Sequence, residues 1–172
     1  MDQSTFPAAR TRSQFALALA MTVATTLLWL SSAEAGPATT QVARPAVPWT
    51  AAETVSPADL VSEIARTGEA GKPVVVCTAP AFLYRNGHVP GALFHGPASS
   101  ASGLEDLKNW AQTMSRSANV VLYCGCCPME ECPNVKPAFT ALRDLGFTRL
   151  RVLILPNNFG TDWVDKGYPV EK

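Results

Sequence analysis

Residues 120–134 have the sequence VVLYCGCCPMEECPN, in which a short apolar run ends on one cysteine and leads into a loop with three more. The run at 120–123 is too short for a stable helix and shows no alternation, which predicts a strand buried on both faces. Gly125, Pro128 and Pro133 interrupt the residues after this strand and predict a loop. A core does not require four cysteines in such a loop, so the pattern indicates thiol chemistry, a disulfide or a soft metal.

Further strands and helices are predicted on both sides of this stretch. Apolar runs predict two more buried strands, at 74–77 and 150–155. Apolar residues at helical spacing predict three helices, over 56–66, 104–114 and 134–146. Buried strands that alternate with helices predict an α/β fold with a mostly parallel sheet flanked by helices on both faces. Ligands of such sheets bind beyond the carboxyl ends of the strands, which is where Cys124 lies.

The N-terminal segment has the layout of a secretory signal. Arg10 and Arg12 precede an apolar run at 15–30, and small residues before Gly36 form an A-x-A cleavage site. We therefore assign residues 1–35 to a signal peptide and expect a periplasmic or secreted protein. An uncleaved membrane anchor is the alternative, because the run is somewhat long for a signal core.

The rest of the chain suits one domain with one core. Residues 36–52 are rich in Pro, Ala and Thr and are expected to form a flexible linker, which leaves the domain at 53–172. The full sequence has 14 basic and 14 acidic residues, so its net charge is zero. Nucleic acid is excluded as a partner because phosphate binding needs a basic excess. We expect a monomer with no cofactor, and no membrane contact unless the signal segment stays uncleaved.

Three segments resemble the rhodanese-like domain family. GHVPGA at 87–92, the strand that ends on Cys124, and Trp163 followed by GYPVE at 167–171 match the family's motifs in order and spacing. The resemblance implies a single rhodanese-like domain and a sulfurtransferase enzyme. It implies that Cys124 is the catalytic residue, which takes a sulfane sulfur from a donor as a persulfide and passes it to a thiol acceptor, such as a thiol on a protein.

The same resemblance defines an active-site loop. Its members are Gly125, Cys126, Cys127, Pro128, Met129, Glu130, Glu131 and Cys132. Backbone N–H groups of this loop, with a helix N-terminus behind them, are expected to stabilise an anionic sulfur and to lower the pKa of Cys124.

The loop departs from the family pattern in its charge. Where the family carries an Arg or Lys before the helix, this chain has Met129 and Glu130, and Glu131 adds a second negative charge. Thiosulfate turnover and phosphate ester hydrolysis both need a cation beside the substrate anion, so the sequence disfavours both reactions. Cys77 and Ala79 replace the family's Asp and Arg at the end of the second strand.

Cys126, Cys127 and Cys132 leave three interpretations open. A disulfide, for example between Cys127 and Cys132, would staple the loop in an oxidising compartment. A neighbouring thiol would instead resolve a persulfide or sulfenate on Cys124, which describes a thiol-redox protein. In the third interpretation these thiols and Cys124 hold zinc or copper(I), although the two C-x-x-C pairs typical of structural zinc are missing. The protein would then be a non-catalytic module that binds a metal or a protein partner.

Several residues outside the loop have structural interpretations. His88 is expected to fix its turn by hydrogen bonds to the backbone, and His95 to be exposed to solvent. Cys77 is expected to be a small buried residue, and Asn134 to cap the helix that begins after it. Lys136 is the nearby cation that a substrate anion could use.

Overall fold

The computed structural model describes residues 46–66 and 71–172 of the chain. The predicted signal peptide at 1–35 and most of the predicted linker at 36–52 lie outside the described residues. Within the described part, no helix combines the length and the apolar character needed to cross a membrane.

Five parallel strands form one sheet in the described residues. They are β1 (Thr54–Val55), β2 (Val74–Cys77), β3 (Leu93–Phe94), β4 (Asn119–Tyr123) and β5 (Arg149–Leu153). The order in the sheet is β1-β5-β4-β2-β3, so β4 lies at the centre. Leu122 of β4 is in register with Val76 of β2 and Val152 of β5. The predicted α/β class and parallel sheet are confirmed.

Helices connect most of these strands. In the described residues the α-helices are α1 (Pro57–Arg66), α2 (Ala81–Asn86), α3 (Ala101–Gln112) and α4 (Val135–Asp144). Shorter elements are the 3-10 turns Ala51–Glu53 and Met129–Glu131 and the π-helical segment Gly160–Val164. The three predicted helices match α1, α3 and α4, while β1 and α2 are not predicted because they are too short to show an apolar period. Helix α3 begins earlier than predicted because the Ser100 side chain caps it, accepting a hydrogen bond from Gly103 N at 3.1 Å.

The central strand is buried on both faces, as its apolar run predicts. Val120, Val121 and Leu122 are completely buried, and Tyr123 is 2% exposed. Helix α4 packs on β4 and β5 and also against α3. The strand therefore holds Cys124, the next residue along the chain, in a fixed position at its carboxyl end.

The folded part of the chain includes residues that the sequence pattern assigns to the linker. Trp49 is 8% exposed and packs edge-on against Phe139, with the ring centroids 5.5 Å apart. Arg143 of α4 donates to the Pro48 carbonyl oxygen at 2.6 Å and to the Glu53 carboxylate at 2.7 Å. The end of the predicted linker thus lies against the domain.

The GHVPGA and GYPVE segments are hydrogen-bonded to each other. His88 and Glu171 exchange two backbone hydrogen bonds, of 2.9 and 3.0 Å, and Gly91 N donates to the Glu171 carboxylate at 2.6 Å. The buried His88 ring lies with its Nδ1 2.9 Å from the Tyr84 carbonyl oxygen. His88 therefore has the structural role expected of it, and the C-terminus is held beside helix α2.

Candidate active site

A cavity of about 560 Å³ opens at the carboxyl ends of strands β2 and β4. Cys77, Tyr123, Cys124 and Cys126 line its sheet side. The remaining walls come from α2 and the C-terminal segment, with the side chains Leu83, Tyr84, Asn86, Asn158, Phe159, Val164, Val170 and Lys172. The cavity is therefore mostly apolar and lies where a parallel sheet binds its ligands.

Cys124 is 2% exposed and its sulfur contacts two neighbouring polar groups. The Asn134 amide Nδ2 donates to the Cys124 sulfur at 3.4 Å, and the Cys126 sulfur lies 3.2 Å away. Asn134 occupies the N-cap position of α4 but makes no capping hydrogen bond with its side chain. Its Oδ1 instead accepts from Ser99 N at 3.0 Å, which turns Nδ2 towards Cys124. The capping role expected of Asn134 is therefore wrong, and the residue positions the sulfur.

Gly125 makes the turn that brings two thiols together. Its φ of +77° lies in the left-handed region, and a Cβ added there would lie 2.6 Å from the Phe159 Cβ. Phe159 N also donates to the Gly125 carbonyl oxygen at 3.0 Å. Cys126 follows Cys124 by two residues in the sequence, and this turn places the two side by side at the cavity wall.

The thiols of the loop form one cluster. The Cys126 sulfur lies 2.9 Å from that of Cys127 and 3.9 Å from that of Cys132. The sulfurs of Cys124, Cys126 and Cys132 all lie within 4.8 Å of one another. All five cysteines are free thiols, so a Cys127–Cys132 staple is not formed in this structure.

Negative charge is stabilised at Cys132 rather than at Cys124. The hydrogen bond with Cys124 and the backbone N–H groups of Val135 and Asn134 lower the pKa of Cys132 to about 6. The contact with Cys132 and burial raise the pKa of Cys124. The amides at the start of α4 donate to the Cys132 sulfur, which is hydrogen-bonded to Cys124.

The acidic and apolar loop residues stay outside the cavity. Met129 is 3% exposed in the core, where its N–H donates to the Leu155 carbonyl oxygen at 3.3 Å, while Glu130 and Glu131 are exposed. None of the three is among the residues that line the cavity, and neither is Lys136. Among the residues that the structure describes, Lys172 is the only charged one in that lining.

Two further residues differ in part from their expected roles. Burial raises the pKa of Cys77 to about 11, which agrees with a small buried residue, but Cys77 also lines the cavity. The His95 side chain is only 17% exposed, because it lies 2.8 Å from the Asp106 carboxylate and stacks on Trp110. The expected solvent exposure of His95 is wrong, and it is not among the residues lining the cavity.

Known structures with the same fold are similar to this chain. One is the crystal structure of the Alr3790 protein from Anabaena sp., with 21% identity and a TM-score of 0.52 over 68% of this chain and 81% of that chain. Another is that of the BH2092 protein from Bacillus halodurans, with 23% identity and a TM-score of 0.53 over 69% of this chain and 75% of that chain. A solution structure of an Alr3790 segment, named a rhodanese-like domain, matches with 22% identity and a TM-score of 0.49 over 69% and 78% of the two chains.

Sequence comparison alone gives no relative: no family model and no curated protein matches the chain. The structural similarity shows the fold, and this chain has the rhodanese-like fold that its three motifs imply.

Proposed function

We propose that this rhodanese-like chain is a sulfurtransferase that carries a sulfane sulfur as a persulfide on Cys124. One observation carries the proposal: the Cys124 thiol comes directly after the central strand and lies in the wall of a cavity of about 560 Å³. Ligands of parallel sheets bind at this edge. The Cys126 thiol and the Asn134 amide offer neutral, soft contacts to a sulfur atom held there.

Loading of Cys124 begins with a proton transfer inside the cluster. Cys124 and Cys132 share a hydrogen bond, and the reacting form is the minor one in which the proton lies on Cys132 and the negative charge on Cys124. The Cys124 thiolate attacks the outer sulfur of a donor R–S–SH, and the donor S–S bond breaks with both electrons leaving on RS⁻. RS⁻ takes a proton from Cys132, so R–S–SH and the Cys124 thiol give R–SH and the Cys124 persulfide. A thiol acceptor later removes the outer sulfur by the same exchange.

The chemistry of the cavity favours an uncharged or weakly charged donor. Its walls are mainly apolar, and its one charged lining residue, Lys172, belongs to the C-terminal segment rather than to the loop around Cys124. A doubly charged donor such as thiosulfate gains most from a cation fixed beside the reacting sulfur. We therefore propose an organic persulfide or polysulfide as the donor and expect slow reaction with thiosulfate.

Consumption of an organic persulfide by the reduced protein tests the proposed function. The rate of R–SH release should fall by at least about a hundredfold in Cys124→Ser, because the nucleophile is lost. Ser117→Ala, at an exposed position outside the cavity lining, is the control and should leave the rate unchanged. Equal rates for Cys124→Ser and the wild type would contradict the proposal.

A second candidate function, a soft-metal module, is favoured by the spacing of three sulfurs. Those of Cys124, Cys126 and Cys132 lie within 4.8 Å of one another, and Cys127 adjoins Cys126. Thiolates select copper(I) and zinc, and a Zn–S bond of about 2.3 Å fits a cluster of this size. Stoichiometric metal in protein purified under reducing, chelator-free conditions, released by a thiol-blocking reagent, would favour this candidate. Metal-free protein with reactive thiols would count against it.

We further propose that the protein is exported, on the evidence of the sequence at 1–35. The mature chain would begin at Gly36 in the periplasm or outside the cell. N-terminal sequencing of the protein from each cell fraction tests this, and a cytoplasmic protein that starts at Met1 would contradict it.

A further inference from the structure

The sulfur of Cys126 contacts the sulfur of Cys124 at the wall of the cavity. The two sulfurs are 3.2 Å apart, and both residues line the cavity. The Gly125 turn holds this arrangement, since its carbonyl oxygen is bound by Phe159 N at 3.0 Å. A thiol at this distance is close enough to reach the inner sulfur of a persulfide on Cys124.

We propose that Cys126 is the resolving cysteine, which attacks the inner sulfur of the Cys124 persulfide and releases the outer sulfur as hydrogen sulfide. The inference rests on the proposed persulfide on Cys124 and adds the fate of its sulfur. The protein is then a persulfide reductase, and its substrate class is the organic persulfide.

The step is balanced in atoms and electrons. The Cys126 sulfur, deprotonated, forms a bond to the Cys124 sulfur, and the bond between the Cys124 sulfur and the outer sulfur breaks. The outer sulfur leaves as HS⁻ with both bonding electrons and takes up the proton lost by Cys126. The outer sulfur is reduced to sulfide, and the two cysteine sulfurs are oxidised to a disulfide. An external dithiol reductant reopens that disulfide and is itself oxidised to a disulfide.

The geometry favours Cys126 over the other loop thiols. A disulfide of about 2.05 Å needs the Cys124 and Cys126 sulfurs to approach by only about 1 Å from their 3.2 Å separation. Cys127 contacts Cys126, its neighbour in sequence, and is not among the residues that line the cavity. Cys132 also contacts Cys124, but it is completely buried and lies outside that lining, whereas Cys126 is at the cavity wall.

Sulfide release tests this inference on the full chain. The protein is reduced, freed of reductant and given an excess of cysteine persulfide, and sulfide, R–SH and intact mass are then measured. The wild type should release one sulfide per chain and lose the mass of two hydrogens. Cys126→Ser should still release R–SH but retain the mass of one sulfur atom, with sulfide release slowed by about a hundredfold. Cys126→Ala should give the same result, because it also removes the attacking sulfur. Ser117→Ala, at an exposed position outside the cavity lining, is the control and should behave as the wild type.

The outcomes separate this inference from the proposed function. Sulfide release from Cys126→Ser at the wild-type rate, or a wild type that keeps the added sulfur, would overturn the resolving role while leaving the carrier role intact. Absence of R–SH release from every variant would overturn both. If Cys126→Ser does not fold, peptide mapping of the oxidised wild type decides: a Cys124–Cys126 disulfide supports the inference, and a Cys127–Cys132 disulfide overturns it.

Discussion

The two ends of strand β4 satisfy their polar groups in opposite ways. At the amino end, Asn119 accepts a hydrogen bond from Arg151 at 3.0 Å, and Arg151 donates to both oxygens of Glu63 at 2.8 and 2.6 Å. At the carboxyl end, the Cys124 sulfur has no arginine or lysine among its described hydrogen-bond partners: it contacts the Asn134 amide and the Cys126 thiol and shares a hydrogen bond with Cys132.

The difference indicates which end is built for stability and which for chemistry. A carboxylate held by an arginine fork has its hydrogen-bonding needs met and stabilises the fold. A thiol held by weak hydrogen bonds to an amide and to other sulfurs stays able to exchange its proton and to form a new bond. Changes at the amino end should therefore affect stability alone, and changes at the carboxyl end should affect sulfur chemistry as well.

The largest expected effect is on stability at Gly125, the residue whose left-handed turn places Cys126 beside Cys124 at the carboxyl end of β4. Gly125→Ala should lower the free energy of unfolding by about 3 kcal/mol, since φ is +77° and the new Cβ would lie 2.6 Å from the Phe159 Cβ. Sulfide release should fall with it. Gly146→Ala is the matched control, because Gly146 has a φ of +90° with open space around it and should cost only about 1 kcal/mol. Equal losses of unfolding free energy in Gly125→Ala and Gly146→Ala, measured by urea unfolding, would contradict the importance of the close contact with Phe159.

Arg151→Met should produce the next largest effect, confined to stability. Removing the fork leaves Glu63 without two charged hydrogen bonds and should cost about 2 kcal/mol in urea unfolding. Persulfide consumption should be unchanged. Arg149→Met, at an exposed position on the same strand, should change stability by less than about 0.5 kcal/mol. Slower persulfide consumption by Arg151→Met would contradict the claim that the amino end of β4 affects stability alone.

Asn134→Ala should have a smaller effect, and we expect it on the rate of persulfide consumption. Losing the amide donor to the Cys124 sulfur should slow persulfide consumption by about tenfold, which corresponds to one charged hydrogen bond in the transition state. Asn134→Asp keeps an acceptor for Ser99 N but places a carboxylate beside the sulfur, so it should be slower still. Loading at the wild-type rate in both variants would show that the amide has no part in the reaction.

The smallest expected effect is the pH dependence of the stability that the Arg151–Glu63 pair contributes at the amino end of β4. The hydrogen bonds from Arg151 lower the pKa of Glu63 below its usual 4.5. The unfolded chain therefore binds more protons than the folded chain between the two pKa values, so this contribution is complete above about pH 4.5 and is lost as pH falls through the folded value. The contribution should be about 1 kcal/mol and absent from Arg151→Met. If the free energy of unfolding falls equally with pH below 5 in the wild type and in Arg151→Met, this contribution is contradicted.

The sequence predicts the central strand and the position of Cys124 because both depend on local pattern. Four consecutive apolar residues ending on a cysteine define a buried strand and its carboxyl end without any knowledge of neighbours. The loop's lack of a cation is visible in the same way, since Met129 and Glu130 are plain in the sequence.

The division of roles inside the cluster could not be predicted, since it depends on tertiary contacts. The Asn134 side chain leaves its capping position because Ser99, far away in sequence, binds its oxygen. Cys132 rather than Cys124 receives the amides of α4, which depends on where that helix begins relative to the thiols. One indirect indication of the lowered pKa of Cys132 was present in the sequence. This residue lies three residues before the start of α4, and a helix N-terminus stabilises anions.

Locating the added sulfur by fragment mass spectrometry tests the central claim most directly. Cys126→Ser, which should retain the sulfur, is loaded with an organic persulfide, blocked with an alkylating reagent and cleaved, and the fragments of the loop peptide are measured. The extra sulfur atom should lie on Cys124 alone, with Cys127 and Cys132 alkylated directly on their own sulfurs. An extra sulfur on Cys127 or Cys132, with Cys124 unmodified, would contradict the account.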